Sequence, residues 1–167
     1  MVRILAATDF SEEGQPVLDF AANMVRMCGG KMYLLHAVEP CIIDAAGSLS
    51  GGALGSGDIP ASVPNVDYTQ MDACEAVLAI ADARAKQLGE QITRKWGIPI
   101  YAKAEESDDI VDCVHQFCKR HSVDILVIGN RHHSLLTSIL LGNTAEKLVR
   151  AASIPVTVVP CGPKIAH

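Results

Sequence analysis

"DILVIGNRHHSLLTSILLGNTAEKLVR", residues 124–150, decides the architecture. It opens on "DILVIG", the most apolar short run in the chain and rich in β-branched residues, which reads as a buried strand. Gly129 ends that run, and a loop carrying Arg131, His132 and His133 follows. At Gly142 the pattern changes to a helix, expected from about Asn143 to Ala152. "IPVTVVP" (154–160) then supplies a second strand. Strand, helix and returning strand make a crossover unit, and crossover units pair their strands in parallel.

The same alternation extends back to the N-terminus. "VRILAATD" (2–9) reads as a buried strand closed by a turn at Thr8-Asp9. Ser11 caps the helix after it, whose first turn carries Glu12 and Glu13 at the favourable positive end. Val17, Leu18, Ala21, Met24, Val25 and Cys28 recur at helical spacing until Gly29-Gly30 stops them. "KMYLLHAV" (31–38) is the second strand, and a long amphipathic helix runs from around Tyr68 to Trp96 with Cys74, Val77, Leu78, Ala81, Ala85, Leu88 and Ile92 along one stripe. "IPIYAKA" (98–104) and a helix over Ser107–Arg120 complete the series. The order βαβαβαβαβ predicts an α/β protein: a single open, doubly wound parallel sheet of five strands with helices on both faces. A Gly/Ser/Pro-rich insertion at about 40–67 has no period and is expected as a long loop or flap. Neither side of it has enough core alone, so residues 1–162 are expected as one domain with a 163–167 tail.

Hydrophobic residues at 49% and charged residues at 20% suit a well-buried globule. Aromatics are only 4%, so Val, Ile, Leu, Ala and Met must build the core. A net charge of −5 argues against general binding to nucleic acid or an anionic membrane, since an acidic surface serves neither. No apolar run approaches the roughly 18 residues of a membrane span. The N-terminal apolar run is too short for a signal sequence. The six cysteines (Cys28, Cys41, Cys74, Cys113, Cys118, Cys161) form no C-x-x-C pair and read as reduced thiols. A cytoplasmic protein is expected.

In open parallel sheets ligands bind beyond the carboxyl ends of the strands, where strand order reverses. If the first and fourth strands are neighbours there, "TDFSEEG" and "GNRHHS" face one another. Free N–H groups of Gly142, Asn143 and Thr144, with the helix dipole behind them, form a natural phosphate seat. Arg131, His132 and His133 would overhang it as cationic or donor groups.

"ILAATDFSEEG", "LLHAVEP", "DILVIGNRHH" and "LLGNTAEKLVRAASIPVTVVP" together resemble the universal stress protein family, over about residues 2 to 160. Nucleotide-binding members share G-x-x-G-x9-G-[S/T/N] between the fourth strand and fourth helix. Here the pattern is Gly129-Asn130-Arg131-His132-x9-Gly142-Asn143, with His132 in place of the middle glycine. The resemblance implies a Rossmann-like fold of the adenine nucleotide alpha hydrolase type. It also implies a site for ATP, or for AMP or ADP, with Mg²⁺. In that site Asp9, with Thr8 beside it, would lie against the adenosine and Ala7 and Ala37 would line the adenine slot. Gly129, Arg131, Gly142, Asn143 and Thr144 would surround ribose and phosphates, and His132 and His133 would supply charge where one glycine is missing. The last strand (about Pro155–Val159) would sit at a sheet edge and pair two copies into a homodimer.

Rival architectures lack their residues. A receiver domain needs an acidic cluster after the first strand, and only Asp9 is there. An adenylate-transferring enzyme needs a histidine pair or S-G-G-x-D-S on that loop. His115, Cys118 and His121, with Cys113 nearby, recur along one helix, but share a face only partly and read as core cysteine with surface histidines. The expectation is an ATP-binding stress-response regulatory protein, a nucleotide-dependent dimeric switch acting on an unidentified client and hydrolysing ATP weakly at most. A nucleotide-free signalling dimer of the same fold and a slow ATPase are the alternatives.

Overall fold

A computed structural model of the chain describes residues 1–40, 42, 43, 49, 50, 73–131 and 143–161. Its main sheet has five parallel strands: β1 (Val2–Ala7), β2 (Gly30–Val38), β5 (Ile100–Glu106), β6 (Ile125–Arg131) and β7 (Val156–Cys161), in the order β5-β2-β1-β6-β7. Four helices cross between them: α1 (Gln15–Cys28), α2 (Ala73–Trp96), α3 (Ile110–His121) and α4 (Asn143–Ala151). The doubly wound parallel sheet expected from the alternation is the fold.

Both faces of the sheet are covered, which is why its central strands are apolar throughout rather than alternating. Ile4 and Ala6 of β1 point with Met32 and Leu34 into a core shared with Val17, Leu18 and Val25 of α1 and Ile92 of α2. Leu5 of the same strand points the other way, with Leu35 and Leu126, onto Val114 and Phe117 of α3 and Leu148 of α4. Each such large side chain taken fully out of water contributes about 1.5–3 kcal/mol.

Several boundaries differ from the sequence-based expectation, for local reasons. β1 ends at Ala7, not Asp9, because the side chains of Thr8 and Asp9 capture the N–H groups of Phe10 and Ser11 and turn the chain. Ser11 caps a short 3-10 turn, Glu12–Gly14, and α1 itself starts only at Gln15, with Pro16 in its first turn where a missing N–H costs nothing. Gly29, at φ 68°, stops α1, but Gly30 already belongs to β2: a Cβ there would collide with the Val2 carbonyl oxygen. β5 is shifted to Ile100–Glu106 from the expected 98–104. Helix α3 starts at Ile110 rather than Ser107, capped by Asp109, whose carboxylate accepts from Val111 N (2.8 Å) and Asp112 N (3.2 Å). β6 runs through Gly129 to Arg131, and β7 starts two residues later than expected and extends to Cys161. Within the insertion expected as a long loop or flap, β3 (Ile42–Ile43) and β4 (Leu49–Ser50) pair antiparallel, Ile42 opposite Ser50. The rest of that insertion, the expected helical start at Tyr68 and the 163–167 tail lie outside the described residues.

Candidate functional site

β1 and β6 lie side by side, Ile4 opposite Ile125 and Ala6 opposite Val127, as the site inference required. From β1 the chain crosses to β2 on one side, and from β6 to β7 on the other, so the connections diverge and leave a crevice beyond the strand ends. A cavity of about 550 Å³ occupies that crevice. This falls within the range of small-molecule sites, roughly 300–1,000 Å³.

Its floor is strand backbone and small side chains: Ala7, Ala37 and Gly129, with Leu35 and Ile128. One wall is the loop after β1, with Thr8, Asp9 and Gly14. The opposite wall is the first turn of α4, Asn143, Thr144 and Ala145, backed by Ile110 and Val114 of α3. The first N–H groups of a helix have no partner within it and carry its positive dipole end, so this wall favours an anion. An apolar floor next to an anion-favouring helix start suits a ligand with a flat apolar part and a negative tail.

The wall after β1 is held by a set of local bonds. Thr8 Oγ1 accepts from Phe10 N at 3.1 Å. Asp9 Oδ1 accepts from Ser11 N at 3.1 Å and Ser11 Oγ at 2.7 Å, and Ser11 Oγ accepts from Gly14 N at 3.2 Å. Phe10 between them has φ 61°, in the left-handed region that bulky residues rarely occupy.

Of the residues singled out from sequence, Ala7, Thr8, Asp9, Ala37, Gly129, Asn143 and Thr144 all border this one cavity. Arg131 closes β6 opposite Cys161. His132, His133 and Gly142 lie outside the described residues. Gly129 has a packing duty besides: a Cβ there would lie 2.8 Å from Cys161 Sγ and 3.2 Å from Val17 Cγ2. Sequence reasoning missed Gly14, Cys161 and His36 as lining residues. His36 left one signal, a polar residue inside the apolar run "YLLHAV", which must find a partner when buried.

The cysteines of α3 are buried in the core, whereas His121, expected at the surface, packs half-buried against its aromatic residues. Burial pushes the thiols of Cys113 and Cys118 up to about 11. His121 stacks on Phe117 at 4.2 Å and on Tyr33 at 5.0 Å between ring centroids. Among the described residues no helix is long and apolar enough to cross a membrane.

Fold and cleft together define an open doubly wound α/β protein with a ligand-sized crevice at its switch point. The match to known proteins is more specific. The family model for the universal stress protein family covers residues 1–160, and the chain belongs to that family. It is 23% identical over 157 residues to the universal stress protein MJ0531 of Methanocaldococcus jannaschii, covering 94% of this chain and 81% of that one. Its fold is also that of the universal stress protein from Archaeoglobus fulgidus solved in complex with dAMP (TM-score 0.53, 20% identity, 95% of this chain and 97% of that one). A universal stress protein solved in complex with cAMP is likewise similar (TM-score 0.59, 17% identity, 95% and 96% of the two chains).

Proposed function

We propose that the chain binds an adenine nucleotide in the switch-point cavity and acts as a nucleotide-dependent dimeric switch in the cytoplasmic stress response. The observation that carries this reading is the meeting of Ala7, Thr8, Asp9, Ala37, Gly129, Asn143 and Thr144 around one cavity, though the segments that bear them are far apart in sequence. The small side chains of Ala7 and Ala37 leave room for a flat base, and the start of α4 faces the phosphates. Two structural neighbours were solved with dAMP and with cAMP, ligands that share an adenine and a phosphate. ATP with Mg²⁺ is the proposed ligand, the metal travelling with the phosphates, and Arg131, His132, His133 and Gly142 complete the phosphate end. Two copies pair along β7, and the nucleotide state of the dimer is what a client protein reads.

The test is direct. Protein released from a gentle preparation is analysed by mass spectrometry for co-purified nucleotide, and stripped protein is titrated with Mg-ATP by calorimetry. Ala37→Leu places a larger side chain in the floor and should weaken ATP binding by at least about tenfold, roughly 1.4 kcal/mol, with the fold intact. No bound nucleotide and no heat on titration would leave the nucleotide-free signalling dimer as the reading. Phosphate release under the same conditions would make it a slow ATPase.

A further inference from the structure

His36 is a polar side chain buried within β2 at 6% exposure, and its Nδ1 lies 2.8 Å from the carbonyl oxygen of Thr8. A carbonyl only accepts, so Nδ1 carries a proton and donates. The ring of Phe10 packs on the imidazole with centroids 4.2 Å apart, and the guanidinium of Arg84, from α2, lies 5.1 Å over the centre of the Phe10 ring. The stack His36–Phe10–Arg84 therefore grips the one residue of this wall whose backbone is left-handed. A bulky L-residue keeps that conformation only where its surroundings hold it, and such positions concentrate at functional sites. Phe10 also packs with Val77 and Leu78 of α2 against Val38 and Ala81.

We infer that His36 is a positioning residue for the cavity: through the Thr8 carbonyl and the Phe10 ring it holds the Thr8–Asp9 wall in the shape that receives the ligand. Without the imidazole donor the Thr8 carbonyl loses its side-chain partner, and without the ring face Phe10 loses one side of its stack. The backbone then relaxes out of the left-handed region, and Thr8 and Asp9 turn away from the cavity. The geometry stands by itself; its consequence for binding rests on the nucleotide reading above.

Two readouts on the full-length protein separate the two. The first is amide hydrogen exchange of Phe10 and Ser11 in the ligand-free protein, followed by NMR; these N–H groups are the ones bonded to Thr8 Oγ1 and Asp9 Oδ1. The second is Mg-ATP affinity by calorimetry. His36→Leu removes the donor and should speed exchange of both amides and weaken ATP binding, each by about tenfold, the effect of leaving one half-buried acceptor unmatched. His36→Asn, whose amide nitrogen reaches the place of Nδ1, should restore both, whereas His36→Gln, which reaches toward Nε2, should not. If His36→Leu fails to fold, the Asn and Gln variants carry the comparison. Equal behaviour of Asn and Gln, or unchanged exchange in all variants, would show that His36 only fills space and overturn the inference. Failure of the wild-type protein to bind ATP would sink the nucleotide reading, while the exchange comparison would still decide whether His36 holds the wall.

Discussion

Gly129 illustrates how one residue can answer to two demands. It lines the cavity, and its missing Cβ also leaves room for Cys161 Sγ, 2.8 Å from where that carbon would stand, and for Val17 Cγ2 at 3.2 Å. A glycine in a phosphate-loop pattern is readily explained by the ligand alone, yet here a side chain would already push Cys161 and Val17 aside before any ligand arrives. Gly129→Ala should therefore destabilise the protein by roughly 1–3 kcal/mol in urea denaturation, as overpacking does. Cys161→Ala removes the nearest obstructing atom, so the double variant should cost less than the sum of the singles by at least about 0.5 kcal/mol. Additive effects would return Gly129 to a role in ligand approach only.

At the scale of an element, α3 shows local signals and tertiary ones side by side. Its C-terminal Lys119, Arg120 and His121 suit the negative end of a helix, and that much is plain in the sequence. The role of His121 is not, because it depends on Phe117, Tyr33 and Tyr101, which three different elements bring around it. Burial lowers the pKa of His121, the Arg120 and Lys31 charges lower it further, and Glu105 opposes them without prevailing. The neutral ring is thus favoured in the folded protein. Below the ordinary histidine range, near pH 6.5, the unfolded chain takes up a proton more readily than the folded one. The contribution of His121 is therefore present above that pH and lost as pH falls toward the depressed folded value. Wild-type stability in urea should decline between about pH 7.5 and 5.5, and His121→Phe, which keeps the stack without a titrating group, should decline less. An identical decline in the two proteins would assign the effect to other histidines.

The sheet as a whole has two edges, and they are treated differently. On β5 the outward N–H of Ala104 donates to Asp82 Oδ1 at 3.0 Å, and Lys86 (2.7 Å) and Lys103 (3.2 Å) hold the same carboxylate. Burial works to raise the pKa of Asp82, but bonds from Lys86, the Ala104 amide and Lys103 outweigh it and hold the carboxyl below its ordinary value. A charged side chain bonded to an edge amide blocks the approach of another strand. β7 pairs only with β6 among the described residues, and its Val156, Val158 and Val159 stay half-buried. The pairing of two copies proposed above would therefore use β7, about a two-fold axis. Val158→Lys should convert the dimer to a monomer in sedimentation velocity, and a wild-type protein that is monomeric at high concentration would end the proposal.

What the sequence by itself determined is whatever depends on neighbours along the chain: the alternation of strands and helices, the glycine stop after α1, and the phosphate-type pattern from Gly129 to Asn143. These follow from side-chain period, backbone permissiveness and capping, all of which act over a few residues. The exact ends of β1 and α3 are local as well, set where the side chains of Thr8, Asp9 and Asp109 divert the backbone, although the hydrophobic period alone did not mark them. Only the tertiary structure decided the order β5-β2-β1-β6-β7, the cavity that order opens, and the His36–Phe10–Arg84 stack on one of its walls. Those depend on contacts between residues far apart in the chain, whose formation is governed by the packing of whole faces rather than by any short pattern.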